Sequence, residues 1–307
     1  MADPDIDPNR FATHTATLST GVEVAYLREG IGGVPIVLVH GWPETRRIWW
    51  RVVAPLVDAG FEVIAPDLRG FGGSSPGDFG DAPACASDVL ALCTEVLGHD
   101  RVVLAGGDFG GPIVQDLALR HPAFVDRLVL FNSPLPYDRE AMAAMATRAS
   151  RDAADYFRRQ GTDADALAAE LATPEQRRRY VATFYTSRFW AHPGSFDDAA
   201  VAFHTEPFAA SAQLRAGFRA YEASFGEAAR STAPVLRRNP NVRALLLFGP
   251  SDHVLYPDFD RMAATVFPDH VGPFLLRDCG HFVPWEAPHA FCSGVVAFCG
   301  DLLVRSR

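Results

Sequence analysis

One aspartate in this chain stands where a nucleophile would be held. Between the apolar run Arg101-Val102-Val103-Leu104-Ala105 and a helical pattern lies Gly106-Gly107-Asp108-Phe109-Gly110-Gly111. Small residues on either side of one reactive side chain, in a sharp strand-to-helix turn, make a nucleophile elbow. The turn strains its central residue, and bulky neighbours would clash there. A serine at that place needs a base to remove its proton. A carboxylate is already ionised, attacks directly and forms an ester with carbon. It suits an sp3 carbon bearing a leaving group, such as an epoxide or an alkyl halide. The helix N-terminus beneath it favours the charged form. Aspartates also cap helices, but the glycine pairs and the strand-turn-helix order favour the nucleophile.

An ester on Asp108 has to be hydrolysed, and the chain supplies partners in order. The run Val242 to Phe248 leads into Gly249-Pro250-Ser251-Asp252, and the run Gly272 to Leu276 leads into Asp278-Cys279-Gly280-His281-Phe282. Nucleophile, acid and histidine follow one another as this kind of sheet arranges them. His281 is expected to deprotonate a water, with Asp252 fixing its tautomer and stabilising its cation. An Asp in such a loop is otherwise a turn residue. His253 and His289 compete with His281, but His253 directly follows Asp252, so the two side chains diverge, and His289 falls in a C-terminal helical pattern. The oxyanion donors expected are the backbone N–H groups of Phe109 and Trp42. Trp42 sits in His40-Gly41-Trp42-Pro43-Glu44, where Pro43 stiffens the loop and His40 orders it. His40, Pro43 and Tyr185 are expected to border the substrate pocket, although Tyr185 could equally be a core aromatic.

These residues need a scaffold. Pro35 to Val39, Phe61 to Ala65, Arg101 to Ala105, Leu128 to Phe131 and Val242 to Phe248 are near-continuous apolar runs. Such runs fit strands buried on both faces of a parallel sheet. Helical faces (Ile48, Val52, Val53, Leu56, Val57; Ile113, Val114, Leu117, Ala118) separate several of them, which predicts a doubly wound α/β fold. Thr15 to Leu27 predicts edge strands about a turn at Thr20-Gly21. Between Pro134 and Pro240 the strand pattern disappears, and residues 139–172 and 174–192 predict amphipathic helices. The expected organisation is a core domain over 1–133, a helical cap over 134–240 and the rest of the core over 241–307.

Composition narrows the partner. The 307-residue chain is 48% hydrophobic and carries a formal net charge of -9 without a long basic run, which disfavours nucleic acid. Cys85, Cys93, Cys279, Cys292 and Cys299 form no C-x-x-C pair and no zinc spacing, so no metal site is expected and reduced thiols in a cytoplasmic protein are. The acidic Met1-Ala2-Asp3-Pro4-Asp5 lacks the apolar region of a signal peptide, and no membrane span is expected. Gly70-Phe71-Gly72-Gly73 lacks dinucleotide spacing, so no cofactor is expected. Asp67 and Arg69 suggest an internal ion pair or loop-fixing residues, and Trp49 and Trp50 core or pocket rim. Oligomeric state, a homodimer included, stays open.

Taken together, His40 to Thr45, Asp67-Leu68-Arg69-Gly70-Phe71-Gly72-Gly73-Ser74-Ser75, the Asp108 elbow and Cys279-Gly280-His281-Phe282 resemble α/β-hydrolase-fold epoxide hydrolases, relatives of haloalkane dehalogenases. The resemblance spans nearly the whole chain and is strongest over 34–135 and 242–290. It implies a small apolar epoxide and water as the reacting partners, and two cap tyrosines that donate hydrogen bonds to the ring oxygen. Tyr156 and Tyr221 match those regions, with Tyr180 and Tyr185 as competitors. Glu222 replaces the usual arginine after the second tyrosine, and Gly107 stands where the family often has His. Dehalogenases usually hold the departing halide with a Trp directly after the nucleophile. Here that residue is Phe109, which has no side-chain N–H to offer.

Overall fold

The computed structural model describes residues 4–77, 80–147, 151–228, 230–232 and 236–305. Its centre is a sheet of eight strands: β1 (His14–Thr17), β2 (Glu23–Glu29), β3 (Val34–Val39), β4 (Phe61–Pro66), β5 (Val102–Gly106), β6 (Val125–Phe131), β7 (Ala244–Phe248) and β8 (His270–Leu275). They lie in the order β1-β2-β4-β3-β5-β6-β7-β8. β2 pairs antiparallel with β1 and β4, and every other pair is parallel. The five apolar runs are β3 to β7, and their burial on both faces explains why they lack alternation.

The chain steps from β3 out to β4, then returns to the other side of β3 with β5. Loops leaving the carboxyl ends of β3 and β5 therefore diverge at a switch point, where such sheets place their ligands. Val39 is in register with Gly106, which sets the loop after β3 beside the elbow after β5.

Helices α1 (Trp50–Asp58), α2 (Ala82–Ala91) and α3 (Gly110–Arg120) precede β6. Between β6 and β7 every described element is helical: α4 (Arg151–Thr162), α5 (Ala164–Glu170), α6 (Pro174–Thr186), α7 (Asp198–Thr205), α8 (Ser211–Gly217), α9 (Arg219–Phe225) and a short turn at Glu206–Ala209. Then come α10 (Phe259–Val266), α11 (Val283–Glu286), α12 (Pro288–Phe298) and α13 (Gly300–Arg305).

The helical insertion differs from the sequence expectation in its breaks. The single helix expected over 139–172 starts only at Arg151 and divides at Asp163 into α4 and α5; residues 148–150 lie outside the described residues. Asp138 caps a single turn, its carboxylate accepting from the amides of Glu140 (3.0 Å) and Ala141 (2.9 Å) and its carbonyl from that of Met142 (2.9 Å). The turn is not continued: the Ala146 amide donates to the Asp258 carboxylate at 2.9 Å instead of to the preceding turn. The helix expected over 174–192 begins at Pro174 with a Thr173/Gln176 capping box and stops at Thr186, where Ser187 turns extended. Residues 187–195 then cross back to the core as an irregular strap.

Asp67 and Arg69 do not pair with each other. Asp67 binds Arg46, and Arg69 binds Asp88 with both side chains buried. Trp49 and Trp50 are core residues. All five cysteines are buried free thiols. No helix among the described residues is long and apolar enough to cross a membrane.

Candidate active site

Asp108 occupies the sharp turn between β5 and α3 at φ 43°, a left-handed conformation that side chains seldom adopt. The turn is pinned on both sides. The Asp108 amide donates to the carbonyl of Asn132 at 2.7 Å, and the Trp42 amide donates to Asp108 Oδ1 at 2.6 Å. Gly41 permits that approach, since a Cβ there would lie 2.5 Å from the Asp108 Cβ. One carboxylate oxygen is thus held by the loop after β3. The other, Oδ2, lies 3.2 Å from His281 Nε2. Gly107 has its own steric reason, because a Cβ would overlap the ring of Phe131, which packs edge-on against Trp49 and Phe291. The volume that a larger residue at 107 would need is already filled.

The three expected reactive residues converge at the carboxyl ends of β5, β7 and β8. His281 Nδ1 bonds Asp252 Oδ2 at 2.8 Å, with both side chains almost fully buried. Its Nε2 points toward Asp108 but off the line of a hydrogen bond, and among the described residues it has no other hydrogen-bond partner. Asp252 Oδ1 accepts the amide of Val254 at 2.8 Å. Burial alone would lower the proton affinity of His281; the Asp252 and Asp108 carboxylates outweigh it and hold the imidazole pKa well above its ordinary value. The competitors His253 and His289 are exposed.

Asp108 lies on the wall of a largely apolar cavity of about 580 Å³ that also contacts Phe109, Tyr156, Phe157, Tyr221 and Leu255. Tyr156 comes from α4 and Tyr221 from α9, two helices packed together. Their ring centroids are 5.6 Å apart at 73°. Burial first, and then the Asp108 charge together with the interaction between the two hydroxyls, set their pKa values, both well above the usual phenol range. Both phenols therefore stay protonated beside a carboxylate. Glu222, where an arginine was expected, is held by Arg215 at 2.7 and 2.9 Å.

Three residues expected to border the pocket lie away from that cavity. The His40 ring is fully buried. Its Nε2 accepts from the Leu68 amide and its Nδ1 faces the Gly41 carbonyl, both at 2.9 Å, while burial lowers its pKa. A neutral ring with Nδ1–H meets all these contacts, so His40 orders the loop. Pro43 carries the carbonyl that the Tyr185 hydroxyl donates to, and Tyr185 stacks on His204 and Phe282. Tyr185 is a core aromatic with its hydroxyl spent on the backbone.

Two buried residues beside the reactive groups went unread in the sequence. Asn132, after β6 at φ 28°, donates from Nδ2 to Asp252 Oδ2 (2.9 Å) and the Gly249 carbonyl (3.0 Å), and accepts the Gly249 amide (2.8 Å). With its carbonyl on the Asp108 amide it ties the elbow to the acid loop. Its only signal was its place at the carboxyl end of the strand beside the elbow. Glu44 accepts the Gly41 amide at 2.6 Å; burial and then the Asp108 charge raise its carboxyl pKa to about 8.

Several known proteins are similar to this chain. The soluble epoxide hydrolase of Corynebacterium sp. (strain C12) is 38% identical over 123 residues, 39% of this chain and 41% of that protein. The haloalkane dehalogenase of Mycolicibacterium paratuberculosis (strain ATCC BAA-968 / K-10) is 37% identical over 131 residues, 40% of this chain and 42% of that protein. Both matches thus span about two fifths of the relative's length. The solved structure of epoxide hydrolase CorEH without ligand superposes with a TM-score of 0.77 over 95% of this chain and 99% of that one, at 24% identity. A family model described as alpha/beta hydrolase fold matches residues 34–288, and a span that holds the elbow, the acid loop, the histidine loop and the helical insertion places the chain in the α/β hydrolase family.

Proposed function

We propose that the protein is an epoxide hydrolase whose nucleophile is Asp108. The observation that carries this reading is the pair of protonated tyrosines, Tyr156 and Tyr221, sharing a cavity with the Asp108 carboxylate. Opening an epoxide releases an alkoxide, which needs a proton donor. A halide needs none. The dehalogenase alternative has less support, since among the described residues the cavity wall contains no Trp, Asn or Gln to hold a halide.

Asp108 Oδ2 attacks a ring carbon, the carbon–oxygen bond breaks, and a tyrosine gives its proton to the departing alkoxide. The product is a hydroxyalkyl ester of Asp108 and a tyrosinate. Esterification removes the Asp108 charge that helped keep the His281 proton, so the imidazolium restores the tyrosine proton and becomes a neutral base. Its free Nε2 takes a proton from water as the oxygen attacks Asp108 Cγ. The developing oxyanion is the oxygen already held by the Trp42 amide. The Phe109 amide, at the elbow's next residue, is the expected second donor. Collapse breaks the acyl carbon–oxygen bond, the diol leaves with the remaining proton of the attacking water, and Asp108 and protonated His281 are restored. Asp252 holds the imidazole orientation throughout.

His281→Gln incubated with styrene-oxide-like epoxides should retain the ester, seen as a mass increase on the Asp108 peptide, and Asp108→Ala should show neither adduct nor diol. No adduct with any epoxide, together with halide release from a haloalkane panel, would replace this reading with the dehalogenase one.

A further inference from the structure

Glu286 is a carboxylate with an unusual set of partners. It makes no ion pair among the described residues. Oε2 accepts from the amides of His192 (2.7 Å) and Gly280 (2.9 Å) and from the Ser195 hydroxyl (3.0 Å), while Oε1 accepts from the amide of Phe282 (2.8 Å). Gly280 and Phe282 flank His281. The remaining amide, that of His281, donates to the carbonyl of Trp190 at 2.7 Å. Three successive amides of the histidine loop are therefore fixed, two by Glu286 and one by the 187–195 strap. Glu286 also grips that strap through His192 and Ser195. The Trp190 ring then braces the imidazole edge-on, with centroids 4.6 Å apart.

We propose that Glu286 is a positioning residue for His281, and that it governs hydrolysis of the ester rather than its formation. The separation follows from the anchors. Asp108 is held by Asn132 and Trp42, neither of which Glu286 touches. Losing Glu286 frees the amides on both sides of His281 and loosens the strap that carries Trp190. Nε2 then drifts from the water it must activate, while Oδ2 of Asp108 stays where the epoxide meets it. Misplacement by about 1 Å can lower a rate by about 10²-fold.

The inference rests on the epoxide hydrolase reading, and its test keeps the two apart. Glu286→Gln keeps the side-chain size and one acceptor; Glu286→Ala removes both acceptors. With an epoxide that the wild type turns over, rapid-mix mass spectrometry of the Asp108 peptide should show ester forming at the wild-type rate in both variants. Its decay should slow by about 10-fold in Gln and up to about 100-fold in Ala. Because ester accumulates, kcat and KM fall together. A brace needed only for folding would instead lower kcat with the folded fraction and leave KM unchanged. That result, slower ester formation, or loss of folding in both variants would overturn the proposal. Absence of ester in the wild type with every epoxide would instead remove the underlying reading.

Discussion

Glu44 provides a test that needs no substrate. In the native protein its carboxyl sits under the elbow with a pKa near 8, against 4.5 when free, because burial and the Asp108 charge both oppose ionisation. Below pH 4.5 Glu44 is protonated in both the folded and the unfolded chain and has no influence on the balance. Between 4.5 and about 8 the unfolded chain has released a proton that the native one keeps. Stability therefore falls as the pH rises through that window, by about 1.4 kcal/mol per unit for a single group. From pH 4.5 to 7 this amounts to about 3 kcal/mol, and the loss ends above about 8. Glu44→Gln imitates the neutral acid and keeps an acceptor for the Gly41 amide. The variant should gain on the wild type by about that amount across the window and then hold a constant lead. Denaturant midpoints at half-unit steps from pH 4.5 to 9 measure the difference. Parallel profiles for the two proteins, or a variant that loses ground with rising pH, would refute the idea that Glu44 is folded in its neutral form.

Tyr156→Phe and Tyr221→Phe should each slow ester formation by about 10²-fold with a simple alkyl epoxide. The loss should shrink with an epoxide whose alkoxide is stabilised by electron-withdrawing groups; equal losses on both substrates would reject proton donation. Gly107→Ala should destabilise the fold by about 1–3 kcal/mol through overpacking against Phe131. Adding Phe131→Leu should recover part of that loss in denaturant melts, and strictly additive effects would show that the two sites do not share the space.

What the sequence discloses about this site is what local chemistry enforces. Asp108 stands out because glycines must surround a residue at positive φ. Asp252 and His281 follow from chain order at strand ends. Tyr185 is different, because nothing near it in the chain says that its hydroxyl meets the Pro43 carbonyl, 142 residues away. Asn132 resembles any turn residue until its side chain is seen between two loops from distant segments. Glu286, five residues beyond His281, gains its meaning only when the strap from the insertion arrives. The missing bulk at Gly107 is likewise a decision taken at Phe131. Even the false helix start before Arg151 has a side-chain cause far off in the chain, since the turn capped by Asp138 is cut short where the Ala146 amide goes to the Asp258 carboxylate.

The charge on Asp108 links these parts. It raises the proton affinity of His281, Tyr156, Tyr221 and Glu44 alike. In the proposed reaction this charge disappears once, when the ester forms. At that moment all four groups bind their protons less tightly. The tyrosines become better acids as the alkoxide needs a proton, and His281 becomes able to pass its own proton on and then to serve as a base. Regenerating the carboxylate reverses every change and closes the cycle with His281 charged. A serine in the same elbow carries no such charge and could not switch its surroundings this way. In this reaction the aspartate contributes more than nucleophilicity: forming the substrate carbon–Oδ2 bond, and later breaking the Cγ–Oδ2 bond, sets when each neighbouring group acts as acid or base.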